Sequence, residues 1–160
     1  MNGKIMRRVI LVAIALWLTA AGKPAPSLSA YVGKYPSDKV AGISLYNHPK
    51  FRTLVSGAAP NMAIRTTVLT SGVEAPVERQ GALLVVQMCE PHNCIGHQWT
   101  VAILLPSGPA AICYHDRDLM GDEGRWFIGG DLMGRTRGCW EGNHTDVPDA
   151  VFTRLAKGRL

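Results

Sequence analysis

The sequence predicts an α+β domain, a five-stranded antiparallel meander sheet flanked by N-terminal and C-terminal helices. Three observations lead there. Two apolar runs, 82–88 and 98–105, rich in Val, Leu and Ile and separated by a short polar loop, read as neighbouring strands buried on at least one face. Pro106-Ser107-Gly108-Pro109 is a strong turn signal after the second run, so the strand-like stretch 110–115 pairs back onto it. Helical patterns lie before and after the strands and not between them, which is the segregated arrangement of an α+β domain.

Taken in order, the chain opens with an export signal. Lys4, Arg7 and Arg8 precede the apolar stretch 9–21, broken only by Thr19, and small residues stand at Thr19, Ala20 and Ala21. That stretch is shorter than the roughly 20 apolar residues a membrane span needs. Cleavage is therefore expected after Ala21 or later, up to residue 30. A lipid anchor would need a cysteine near that point and there is none, so a soluble periplasmic product without a stable membrane anchor is expected. Pro24, Pro26, Ser27 and Ser29 suggest that 22–39 is a mobile segment, leaving 40–160 as one domain.

Within that domain 40–46 and 49–56 have helical character, with Asn47 placed to cap the second stretch and Gly57 to end it. The five strands fall at 72–78, 82–88, 98–105, 110–115 and 125–129, the last carrying Trp126 and Phe127 as core residues. Asp146-Val147-Pro148-Asp149 opens a final helix with Val151, Phe152 and Leu155 on one face and Gly158 at its end.

Charge narrows the partners. The full chain has 17 Lys and Arg against 12 Asp and Glu. Loss of Lys4, Arg7 and Arg8 with the signal leaves 14 against 12, or +2. The remaining basic residues are scattered, with Arg135 and Arg137 the nearest to a cluster, and no aromatics interleave with them. A nucleic-acid surface is not expected.

The run Cys89-Glu90-Pro91-His92-Asn93-Cys94 between the two apolar strands concentrates the chemistry of the chain. Four cysteines in a short exported protein most simply form two disulfides, although three connectivities are open. Spacing favours Cys89 with Cys94 and Cys113 with Cys139. The first closes a small ring, for which chain entropy gives roughly 2 kcal/mol, and the second a longer one, at roughly 3.5 kcal/mol. The main effect of the small ring is local, because it and Pro91 restrict Glu90, His92 and Asn93. A rigid protruding loop loses little entropy on binding.

Other chemistries compete for the same residues. Cys89, His92, Cys94 and His97 supply two thiols and two imidazoles, a donor set suited to zinc, but in a tighter spacing than zinc-finger patterns and in a compartment that oxidises thiols. His97 is better read as a strand-edge residue beside Trp99. A thiol enzyme would pair Cys89 or Cys94 with His92, yet a residue two or three positions away on a tight loop is badly placed as a base. Asp116, Asp118, Asp122 and Glu123 lack the glutamate-terminated calcium-loop pattern and read as a solvated hairpin tip. Asn143-His144-Thr145 fits a short glycosylation pattern. No cofactor is implied.

The loop with its flanking strands, Cys113-Tyr114-His115-Asp116, Trp126-Phe127 and the early Leu45-Tyr46-Asn47-His48-Pro49 together resemble the Ivy family, inhibitors of vertebrate lysozyme. The resemblance spans most of the mature chain, and the loop is its specific part. It implies two helices, a five-stranded meander and further helices, a periplasmic location and an inhibitory loop between the second and third strands. In the family that loop reads Cys-Lys-Pro-His-Asp-Cys, and its histidine, matched here by His92, contacts the catalytic carboxylates of the target. The partner so implied is a lysozyme; a lytic transglycosylase of the same envelope is the other muramidase expected as a target, and a homodimer is left open. Glu90 stands where the family has lysine and Asn93 where it has aspartate. An anion therefore replaces a cation beside an acidic cleft, where like charges are costly.

Overall fold

The computed structural model describes residues 24–70, 72–140 and 147–158. The expected export signal and the Asn143-His144-Thr145 pattern lie outside them. The fold is α+β with a mostly antiparallel sheet. A small hairpin, β1 (Lys39–Val40) and β2 (Ile43–Ser44), leads into helices α1 (Pro49–Ala58) and α2 (Met62–Val68). The main sheet follows, built from β3 (Val73–Glu74), β4 (Glu78–Gln80), β5 (Leu83–Cys89), β6 (His97–Leu104), β7 (Ala110–Asp116), β8 (Glu123–Ile128) and β9 (Asp131–Arg137). A short helix α3 (Arg117–Met120) joins β7 to β8, and α4 (Asp149–Lys157) ends the described chain.

The strand order is β3-β5-β6-β7-β8-β9, with β4 also paired to β5, giving seven strands where five were expected. Two things account for the difference. The strand expected over 72–78 is two short ones that share the outer edge of β5, Val73 opposite Cys89 and Glu78 opposite Val85. Pro76, which has no N–H to give to a ladder, lies in the break. The second is β9, whose Asp, Gly, Arg and Thr residues hide the alternation of a half-buried strand. It is made by the Gly129-Gly130 turn, both residues at positive φ, which folds Asp131 back opposite Ile128.

The central strands are buried on both faces, which is why they read as continuous apolar runs. Leu84, Val86, Trp99, Val101, Ile103 and Phe127 pack with Phe51 and Val55 of α1 and Ile64 and Val68 of α2. Leu83, Val85, Ala102, Leu104 and Trp126 pack on the other face with Val151 and Leu155 of α4. Trp126 and Phe127, neighbours in β8, thus serve opposite cores. Phe152 was expected on the buried face of α4 but is substantially exposed, since Val151 and Leu155, one helical turn apart, already fill the contact.

Three expectations for the N-terminal region need correction. Residues 40–46 are not helical: Ala41 and Gly42 both take positive φ in the β1–β2 turn, and Leu45–Asn47 is a single 3₁₀ turn. Helix α1 is capped by His48 and not by Asn47, and it runs past Gly57. The segment 22–39 is not mobile throughout. His48 Nδ1 accepts from the Phe51 N–H at 3.4 Å, so Nε2 carries the proton and donates to the Pro26 carbonyl at 2.8 Å. One imidazole therefore caps a helix and fastens the segment ahead of it. Leu28 and Tyr31 then enter the core from a 3₁₀ turn, and the Tyr31 hydroxyl donates to the Ile43 carbonyl at 2.7 Å. Burying a leucine contributes about 1.5–3 kcal/mol. The folded unit thus starts ahead of residue 40, and a cut as late as residue 30 would remove Leu28 from it.

Candidate functional site

Strands β5 and β6 pair down to Cys89 opposite Gln98, and residues 90–96 connect them. Cys89 is bridged to Cys94, and Cys113 on β7 to Cys139 just after β9, with Cα–Cα distances of 4.8 and 5.5 Å. All four cysteines are used. A thiol enzyme built on Cys89 or Cys94 has no thiol in this state. The zinc donor set Cys89, His92, Cys94 and His97 loses its sulfurs for the same reason. Among the described residues no group of three or more His, Cys, Asp or Glu is placed to hold a metal ion.

The loop is organised by its own backbone. The Asn93 N–H donates to the Glu90 carbonyl at 3.0 Å, closing a turn with Pro91 second and His92 third. Proline presets the backbone of the second position, while the third needs positive φ when the turn is of type II. His92 supplies it, at φ 64°. An L-residue in that region is less stable by about 1–2 kcal/mol, so the surrounding ring has to hold it there. The Asn93 carbonyl accepts from the Gly96 and His97 N–H groups at 3.1 and 2.8 Å, and the Glu90 N–H donates to the His97 carbonyl at 3.0 Å. A side chain at Gly96 would run into the Asn93 amide oxygen. Glu90, Pro91, His92 and Asn93 are all exposed, with His92 at the turn.

The two residues that depart from the family loop bond to each other. Asn93 Nδ2 donates to Glu90 Oε2 at 2.7 Å, and His97 Nδ1 stands 3.5 Å from the same oxygen. The Asn93 hydrogen bond, followed by the His97 ring, holds the Glu90 carboxyl below its ordinary range. His97 is in turn fixed beside the loop: Nε2 lies 2.8 Å from the Tyr114 hydroxyl, and its ring meets Trp99 and Tyr114 edge-on at 5.3 Å each. Burial first, then the charges of Asp116 and Glu90, push the Tyr114 hydroxyl up. His97 is therefore the strand-edge residue beside Trp99 that the sequence suggests, and it also steadies the loop's carboxylate.

Two flanks complete the surface. On one side α2, a helix the sequence pattern does not predict, and Thr70 just beyond its end border a cleft of about 520 Å³ whose lining includes Met62, Thr66, Thr70, Pro91 and Trp99. The start of α2 was readable, since Asn61 accepts from the Ile64 N–H at 3.0 Å as an N-cap. On the other side the acidic residues lie, as expected, at the solvated connection between the antiparallel strands β7 and β8, with Asp118 inside the short helix α3, Asp116 and Asp122 on either side of it and Glu123 opening β8. Asp116 caps α3 by accepting from the Asp118 and Leu119 N–H groups, and the Arg117 N–H donates to the Gly96 carbonyl at 2.7 Å. Ile95, Leu119 and Met62 are 78, 76 and 68% exposed, large apolar side chains of the loop and both its flanks. Apolar residues in a polar rim are what a protein partner buries.

The structure brings together all six residues of the 89–94 run. The Glu90–Asn93 bond was not legible, because it is a side-chain contact with no periodic signature, and neither was the placing of the two flanks beside the loop, because they come from distant parts of the chain. No family model matches this chain, nor does any curated protein or solved structure.

Proposed function

We propose that this protein is a periplasmic inhibitor of lysozyme-type muramidases, and that it acts by inserting the Cys89–Cys94 loop with His92 into the target's active-site cleft. The observation that carries the reading is the exposed His92, held in left-handed backbone at the turn of a disulfide-closed ring. Membership of the Ivy family rests on the loop and strand residues quoted above and is part of the same proposal. So are the cleaved export signal and the absence of any enzymatic activity of the chain itself.

The chemistry suits the target. Muramidases of this type work with two carboxyl groups, one protonated and one ionised, in a groove shaped for a sugar ring. An imidazole offers both a donor and an acceptor nitrogen to such a pair, and the loop behind it excludes substrate by occupying the groove. Occlusion alone suffices. A loop already closed by a disulfide has little entropy left to lose on entry, and the exposed Met62, Ile95 and Leu119 add apolar area around it.

Glu90 bears on the choice of target. Its carboxylate is drawn onto Asn93 and towards His97, so its repulsion from an acidic cleft is partly offset inside the loop. The target is a host c-type lysozyme or a lytic transglycosylase of the same envelope. The experiment is inhibition of each enzyme class by the wild type and by His92→Ala. Inhibition of at least one class, lost on substitution, is expected; inhibition of neither, or inhibition that survives the substitution, overturns the reading.

A further inference from the structure

The cleft of about 520 Å³ between the loop and α2 is shared by the two elements. Met62, Ala63 and Thr70 line it on one side, Glu90, Pro91 and Trp99 on the other. Glu90 and Pro91 lie inside the ring closed by Cys89 and Cys94, so any groove that takes in the loop also brings its wall to this cleft. The walls are apolar where Met62, Ala63, Pro91 and Trp99 form them. Met62 is 68% exposed, an apolar side chain without cover.

The polar groups of the lining offer acceptors. No Lys or Arg is among them, and the one carboxylate is that of Glu90, whose side chain is 49% exposed. Its Oε2 takes the Asn93 amide and faces His97 Nδ1, while Oε1 has no partner among the described residues. Thr70 Oγ1 gives its proton to the Thr66 carbonyl at 2.8 Å, which leaves only lone pairs for a ligand. His97, the other group here that can carry charge, is engaged on both ring nitrogens, by Glu90 and by the Tyr114 hydroxyl. Apolar walls, a carboxylate and no competing cation suit a positive charge on an aliphatic stem, which lays its methylenes on carbon and keeps its head on oxygen.

We propose that this cleft receives an arginine or lysine side chain from the rim of the target's groove, its stem against Met62 and Pro91 and its charged head on Glu90. The proposal rests on the inhibitor reading above and adds the chemistry of the partner. Among muramidases with the same catalytic carboxyl pair, those with a basic residue beside the groove are the ones bound. Glu90 is then a specificity-determining residue. The anion that is unfavourable beside the catalytic carboxyls is matched by a cation on the groove's wall, and a target lacking that cation is rejected.

The test has two arms. In the first, folded protein carrying carbon-13 at the Met62 methyl and the Glu90 carboxyl is titrated by NMR with three probes. These are n-butylguanidinium, 1-butanol, which lacks the charge, and methylguanidinium, which lacks the stem. n-Butylguanidinium is expected to shift both signals saturably, and the other two to bind about threefold more weakly or less. Glu90→Gln should weaken n-butylguanidinium about threefold, the size of an exposed charge contact. Ala63→Phe, at an exposed helix position, fills the cleft without touching the loop and should abolish saturation.

In the second arm, inhibition of a c-type lysozyme and of a lytic transglycosylase is measured for the wild type and both variants. Each variant is expected to inhibit about threefold more weakly than the wild type, and the deficit of Glu90→Gln should shrink in high salt. Absence of saturation by n-butylguanidinium, or equal binding to Glu90→Gln, overturns the proposal. So does inhibition that both variants leave at wild-type strength while His92→Ala abolishes it, in which case the inhibitor reading stands. Inhibition of neither enzyme by the wild type overturns the inhibitor reading, and with it the target as the source of the side chain.

Discussion

The two disulfides divide the molecule into a part that is held and a part that is presented. Cys113–Cys139 joins a wholly buried strand position to the segment after β9, spans 26 residues and sits among Trp126, Val151 and Leu155. Cys89–Cys94 spans five residues, and the four residues it encloses all face solvent. Chain entropy alone makes the first the stronger stabiliser. The same covalent chemistry thus serves stability at one place and the shape of a surface at the other, and burial decides which.

This contrast can be broken in three ways. Replacing Cys113 and Cys139 together by alanine is expected to lower unfolding free energy by about 3.5 kcal/mol in denaturant titration. Inhibition by the remaining folded fraction should persist, since the loop is untouched. Replacing Cys89 and Cys94 together is expected to cost less, about 2 kcal/mol, while weakening inhibition far more than the first pair does. If the order of the two stability losses is reversed, or the loop pair leaves inhibition intact, the division of labour is wrong.

The smallest effect concerns the loop's internal bond. Asn93→Ala removes the hydrogen bond that holds the Glu90 carboxyl below its ordinary range. In the folded wild type that carboxyl titrates lower than in the unfolded chain. Its bond therefore contributes fully above the ordinary carboxylate range and is lost as the pH falls through the depressed folded value. Carbon-13 titration of the Glu90 side chain should give a higher midpoint in Asn93→Ala than in the wild type, with little change in global stability. Equal midpoints would mean that Asn93 does not hold the carboxylate.

How much of this was legible follows the same division. The strands around the loop were readable almost to the residue, because burial on both faces leaves an unbroken apolar run that turns and polar residues interrupt. Of the three connectivities the sequence left open, the one favoured by spacing is the one the structure has. Outside that centre local signals competed. Asn47 looked like a cap, but His48 serves both the helix and the Pro26 carbonyl, a tertiary contact no local rule anticipates. Leu28 and Tyr31 were hidden among prolines and serines, whose composition suggests a loose tail unless two side chains reach a core. Strand β9 was hidden by its polar edge composition, although Gly129-Gly130 marked its turn. At the site the residue types were plain and their mutual contacts were not. The pairing of Glu90 with Asn93, and of His97 with Tyr114, belongs to side-chain geometry that appears only once β5, β6 and β7 are side by side.

The central claim is that the loop occupies a catalytic groove, and competition for that groove tests it most directly. Binding of the protein to a c-type lysozyme and to a lytic transglycosylase is measured by calorimetry with and without a saturating N-acetylglucosamine oligosaccharide that fills the sugar sites. The predicted result is mutual exclusion, with the apparent affinity falling in proportion to the oligosaccharide added. A ternary complex formed with unchanged affinity would place the loop outside the cleft and contradict the account.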